Sequence, residues 1–118
     1  MIKAIGYAAI SEKSPLQPFS FERRDLSDYD VQINILYCGV CHTDINFVHN
    51  AWQTLDDTWH KSKYPMVPGH EVLGRVSRIG NKVTQFHIGD LVLPTAIIDS
   101  CGTCDQCKKH QEQYCQKG

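Results

Sequence analysis

The chain has 118 residues, the length of one domain, and 42% of them are hydrophobic, enough for a packed core. With 12 basic and 13 acidic residues the net charge is −1, so electrostatics gives no reason to expect nucleic acid or an anionic membrane as partner. No run approaches the ~20 apolar residues that span a bilayer, and the start lacks a signal-peptide pattern, so a cytoplasmic location is expected.

In chain order, Ile2–Ile10 reads as a strand. Val31, Ile33 and Ile35 alternate with Gln32 and Asn34, the period of a half-buried strand, with Asp28-Tyr29-Asp30 before it and Gly39 after it as turn residues. A helix is predicted from near His42 towards Ala51, with Ile45, Val48 and Trp52 on one face. Gln53–Lys63 is polar and aperiodic, which predicts an exposed, mobile loop open to proteolysis at Lys61 or Lys63. Tyr64-Pro65-Met66-Val67-Pro68-Gly69 is an extended loop, because each proline restrains itself and its predecessor. Val72–Ile79 reads as a strand ending at the turn Gly80-Asn81, and the turn Gly89-Asp90 leads into Leu91-Val92-Leu93. The class expected is mainly β with short helices, a small barrel or sandwich occupying residues 1–118.

Six cysteines in a chain without a secretory signal point to metal before disulfides. Cys101, Cys104 and Cys107 follow one another with two-residue gaps, and Cys115 comes seven residues later. Tetrahedral zinc takes four such thiolates and then keeps no open position, so this cluster predicts a structural zinc. An iron–sulfur run, C-x2-C-x2-C-x3-C-P, matches three cysteines and then fails, because the last gap is seven residues and Gln116 follows. Ordinary free thiols are the bland alternative.

Cys41 and His70 come from separate elements and can supply two of the three protein ligands of a catalytic zinc. Glu71 can approach the metal transiently or stand behind it. Asp44 can accept a hydrogen bond from the other nitrogen of His70, and the Thr43 hydroxyl can pass a proton. Taken alone, Thr43 and Asp44 read first as helix caps. Cys38 reads as a small buried hydrophobe, and His49, His60, His87 and His110 as structural or solvated.

Four motifs in order change that weighting. These are Gly39-Val40-Cys41-His42-Thr43-Asp44, Tyr64-Pro65-Met66-Val67-Pro68-Gly69-His70-Glu71-x2-Gly74, Phe86-x2-Gly89-Asp90-x-Val92, and the four cysteines. Together they resemble the zinc-containing medium-chain alcohol dehydrogenases over nearly the whole chain. The cinnamyl-alcohol-dehydrogenase-like branch, with the broad-range bacterial aldehyde reductases, is the nearest in appearance.

The resemblance implies a GroES-like β-barrel with a four-cysteine zinc lobe and two zinc ions, one catalytic and one structural. It implies Cys41 and His70 as catalytic-zinc ligands, with Glu71 able to reach the metal, and Cys101, Cys104, Cys107 and Cys115 as structural-zinc ligands. Thr43 matches the proton-relay hydroxyl, and His42 a residue beside the cofactor pyrophosphate. The activity implied for the full-length protein, a homodimer, is NADP(H)-linked interconversion of primary alcohols and aldehydes, with zinc as Lewis acid.

Three departures stand out. Asn46 occupies the position where many relatives have the outer histidine of the relay. The loop Trp52–Lys63 is longer than usual, so that Trp52 or Trp59 is available to line the substrate entrance or simply to pack. A third zinc ligand, a downstream cysteine, and a G-x-G-x-x-G nucleotide-binding segment are not among these 118 residues, so the isolated chain is expected to be inactive. The rival class is a free-standing structural zinc module or pseudoenzyme. A zinc-finger-like nucleic-acid binder is disfavoured because no basic patch flanks the cysteines.

Overall fold

A computed structural model describes residues 1–52, 61–97 and 99–117. Among these residues the chain forms β1 (Ile2–Ala8), β2 (Gln17–Arg23), β3 (Val31–Gly39), α1 (His42–Val48), β4 (Glu71–Ile79), β5 (Leu91–Val92) and α2 (Asp105–Lys108), then a 3-10 turn at Glu112–Tyr114. The class is mainly β with short helices. The strands make an antiparallel β1–β2 pair and an antiparallel β3–β4–β5 sheet, open at the edges among the described residues.

Strand β2 was not anticipated from sequence. Phe19 and Phe21 alternate within it and stack with ring centroids 6.0 Å apart. Pro18 is tolerated because, among the described residues, β2 is an edge strand paired on one side only.

The alternation of Val31, Ile33 and Ile35 does not persist as a half-buried face. Register shifts fall between Gln32 and Ile33 and between Ile35 and Tyr37, and Ile35 is 62% exposed. Each bulge turns the following side chains relative to the period-2 pattern. Cys38, expected to be buried, lies on this outer stretch and is exposed.

The helix is shorter than predicted. His49 caps it, and Asn50 turns left-handed at φ 51°, which ends helical geometry before Ala51. Val48 is buried as expected, whereas Ile45 is 46% exposed. Trp52 follows the turn and meets Phe47 edge to face, with centroids 5.1 Å apart. Of the predicted loop, Gln53–His60, including Trp59, lies outside the described residues. So does His60 as a solvated histidine.

Two tethers fix the proline-rich loop that carries the chain to His70. Ala9 and Met66 exchange both backbone hydrogen bonds, at 2.9 and 2.8 Å, beside the fully buried Ala8 and Ala9. The Tyr64 hydroxyl donates to the Val48 carbonyl at 2.6 Å, tying the loop to the end of α1. The loop leading into β4 is thereby held between the end of β1 and the end of α1.

Asp30 organises the turn before β3. Its carboxylate accepts from the Ser27 amide at 2.7 Å, the Ser27 hydroxyl at 2.8 Å and the Arg24 guanidinium. The bond from Arg24, then those from Ser27, hold the carboxyl far below its ordinary range. A folded value below the unfolded one adds stability above about pH 4, which is lost as pH falls towards the folded value. Asp30→Asn should cost about 1 kcal/mol at neutral pH and flatten the acid limb of a denaturation profile. An unchanged limb would show that the turn does not couple to folding.

Candidate functional site

The four cysteines of the carboxy-terminal segment converge. All six cysteines of the chain are free thiols, and the ligand atoms of Cys101, Cys104, Cys107 and Cys115 lie within 4.8 Å of one another. Cys104, Cys107 and Cys115 are buried together, with Cys101 packed against them. The sulfur separations are 3.5 Å for Cys104–Cys107 and 3.9 Å for Cys101–Cys107. Ligands about 2.3 Å from a tetrahedral zinc stand about 3.8 Å apart, so this donor set fits zinc.

Local backbone supports the same chemistry. Amides of Thr103 and Cys104 donate to the Cys101 sulfur at 3.4 and 3.3 Å, and the Cys101 amide donates to Cys115 at 3.3 Å. Hydrogen bonds from Thr103, hydroxyl first, lower the Cys101 thiol to about 5. The Gln116 amide, followed by that of Cys107, lowers Cys104. Burial pushes Cys107 up to about 11. One sulfur is thus a thiolate and another a thiol at neutral pH without metal. Thr103 was missed from sequence, where it looks like any turn threonine.

A second group forms where β3 gives way to α1 and the proline loop gives way to β4. Ligand atoms of Cys41, His70 and Glu71 lie within 4.8 Å of one another. Cys41 is the N-cap of α1, in extended backbone. Asp44 ties the parts together: Oδ2 accepts from the Cys41 amide at 3.0 Å, and Oδ1 accepts from the Gly69 amide and meets His70 Nδ1, each at 3.0 Å. Its capping function and its hold on His70 coexist, so the two readings of Asp44 are not alternatives. Gly69 has φ 123°, where a side chain is strained, and a β-carbon there would lie 2.9 Å from the Cys38 sulfur.

The electrostatics are reciprocal. The Asp44 hydrogen bond raises His70 above its ordinary value, and the thiol of Cys41 is lowered chiefly by hydrogen bonds from Thr43, side chain before backbone. With Nδ1 engaged, the other nitrogen of His70 is free to ligate. Thr43 therefore stands beside the Cys41 sulfur, while His42 opens the helix exposed and outside the three-residue group.

Asp44→Ala should cost about 1–3 kcal/mol in a denaturant melt, because two amides and an imidazole lose their acceptor. The charged His70–Asp44 pair contributes fully below about pH 6.5 and is lost as pH rises through the raised folded value. Asp44→Asn should accordingly lower the His70 titration midpoint in the metal-free chain, followed by NMR. An unmoved midpoint would dissociate Asp44 from His70.

Such a fold with one four-cysteine group and one cysteine–histidine–glutamate group is that of the zinc-type alcohol dehydrogenases. The model of the alcohol dehydrogenase GroES-like domain matches residues 27–118, and the chain belongs to that family. Its similarity is strong to the cinnamyl-alcohol-dehydrogenase branch. It is 46% identical over 116 residues to a probable cinnamyl alcohol dehydrogenase 6 of Arabidopsis thaliana, covering 98% of this chain and 30% of that protein. A cinnamyl alcohol dehydrogenase structure from Sorghum bicolor superposes with a TM-score of 0.86 at 42% identity, covering 97% of this chain and 30% of that one. The cinnamyl alcohol dehydrogenase of Helicobacter pylori, complexed with NADP(H), gives 0.88 at 38% identity, covering 98% and 31%. The chain spans about 30% of the length of the curated relatives it matches.

Proposed function

We propose that residues 1–118 are the zinc-binding part of the catalytic domain of an NADP(H)-linked alcohol dehydrogenase that interconverts primary alcohols and aldehydes. The observation that carries this is the pairing of two unlike ligand groups in one domain: a closed set of four cysteines, and an incomplete set of Cys41, His70 and Glu71. A structural zinc needs the first, and a catalytic zinc, which keeps a position for substrate, uses the second kind. NADP(H) is favoured by the nucleotide bound in the Helicobacter pylori relative. Membership of a homodimer and a cytoplasmic location belong to the same proposal and rest on the family resemblance.

In this proposal Cys101, Cys104, Cys107 and Cys115 would hold the structural zinc, and Cys41 and His70 the catalytic one, with Glu71 beside it. Bound zinc would supply a Lewis acid for the alcohol oxygen, and a bound nicotinamide would supply the hydride chemistry. The Thr43 hydroxyl would pass the alcohol's proton on towards solvent, giving up its own proton as it accepts the other. Asp44 would hold the His70 tautomer, and His42 would lie beside the cofactor pyrophosphate. Asn46 cannot relay a proton as an imidazole does, so the outer step would run through water or be lost.

Metal analysis of the purified chain tests the proposal. Two zinc equivalents are expected, one tight and one readily lost, with Cys41→Ala removing only the weaker. A single equivalent unaffected by Cys41→Ala would favour a purely structural zinc module.

A further inference from the structure

Strand β3 ends and β4 begins at one cross-strand pair, Gly39 opposite Glu71. A β-carbon built on Gly39 would lie 2.3 Å from Glu71 Oε2, 3.1 Å from its Cβ and 3.4 Å from its Cδ. The Glu71 side chain therefore lies back over the bare α-carbon of Gly39. Backbone geometry does not demand a glycine there, because the positive-φ glycines are Gly69, Gly89 and Gly102. What position 39 supplies is space.

That space is used against the ordinary preference of a surface carboxylate. Glu71 is exposed, and a free glutamate there gains hydration and rotamer entropy by swinging into water. Instead its carboxylate turns in, within 4.8 Å of the ligand atoms of Cys41 and His70. We propose that Gly39 is a positioning residue whose missing side chain is the seat of the Glu71 carboxylate in the Cys41–His70 metal group. The proposal rests on that group being a metal site. An alanine at 39 meets first the flexible end of Glu71, so the carboxylate is evicted while the sheet gives only tenths of an ångström. Cys41 and His70 then remain without the carboxylate beside them.

Cobalt(II), titrated into the 118-residue chain, is the probe, since its ligand-field bands report coordination at each site. The wild-type chain should take up two equivalents. Gly39→Ala should leave the tight equivalent of the four cysteines unchanged, weaken the second about tenfold and alter its bands, as Glu71→Ala does. The double variant should be no weaker than Glu71→Ala alone, because the space serves nothing once the carboxylate is gone. Full affinity in Gly39→Ala beside a weakened Glu71→Ala would overturn the seat while leaving the metal group intact, and additive losses in the double variant would do the same. So would a second equivalent indifferent to Glu71→Ala. A wild-type chain binding one equivalent would sink the metal group and the seat together. If Gly39→Ala unfolds the chain, recovery of folding in the double variant supports the seat, and continued unfolding overturns it.

Discussion

Chelation of metal from the purified chain should unfold the segment from Ser100 to Gln116 while leaving β1 to β4 in place. That segment contains only a four-residue helix and a three-residue 3-10 turn, and its buried cluster consists of Cys104, Cys107 and Cys115. Among the described residues no aliphatic core orders it. Structural zinc contributes on the order of 10–16 kcal/mol at neutral pH in small metal-folded modules, enough to replace such a core. Uptake must displace the proton of Cys107, raised to about 11, whereas Cys101, at about 5, is already ionised. Affinity should therefore fall as pH falls, with protons released on binding. Cys107→Ser should abolish tight zinc and leave the segment open to proteolysis. Visible bands of iron and sulfide, or a segment that stays protected without metal, would refute the assignment.

The second large effect concerns turnover. The 118-residue chain should show no alcohol oxidation or aldehyde reduction above background with either nicotinamide cofactor. Hydride transfer requires a nicotinamide held against the substrate, and no G-x-G-x-x-G occurs in these residues to hold its pyrophosphate. Fusion to the remaining portion of a cinnamyl alcohol dehydrogenase relative, which the family resemblance implies carries the nucleotide-binding part and a further zinc ligand, should restore activity. In that fusion Cys41→Ala should lower kcat/KM by at least about a thousandfold, as loss of a group acting in the transition state does. Activity of the 118 residues alone, or a fusion indifferent to Cys41→Ala, would refute the proposal.

Ligand types and their grouping were legible in the sequence because metal chemistry restricts both residue and spacing. The four cysteines, and the pairing of Cys41 with His70, needed no coordinates to suggest. Asp44 was legible as a partner of His70, but its hold on the Gly69 amide was not, since backbone donors leave no trace in a one-letter code. The Glu71–Gly39 pair was invisible for a different reason: it depends on the register of β3 against β4, and two bulges set that register. The same bulges spoiled the alternation expected of Ile33 and Ile35. Strand β2 was not anticipated: a proline inside a short apolar run argues against a strand, and the place of Pro18 at a sheet edge makes it harmless. The end of α1 turned on one left-handed residue, Asn50, inside an otherwise acceptable helical pattern.

The carboxylate of Asp44 is at once a hinge pin for the chain and a bracket for an imidazole. A lineage that abandoned chemistry would still need the pin. Purifying selection for folding alone would keep Asp44 long after His70 had nothing to bind, so its persistence in a relative is poor testimony to activity. In the seat proposed above, the bare α-carbon of Gly39 serves the carboxylate of Glu71. Among divergent copies, the pair Gly39 and Glu71 is where decay of the chemistry would first be written, while the joint at Asp44 stayed intact.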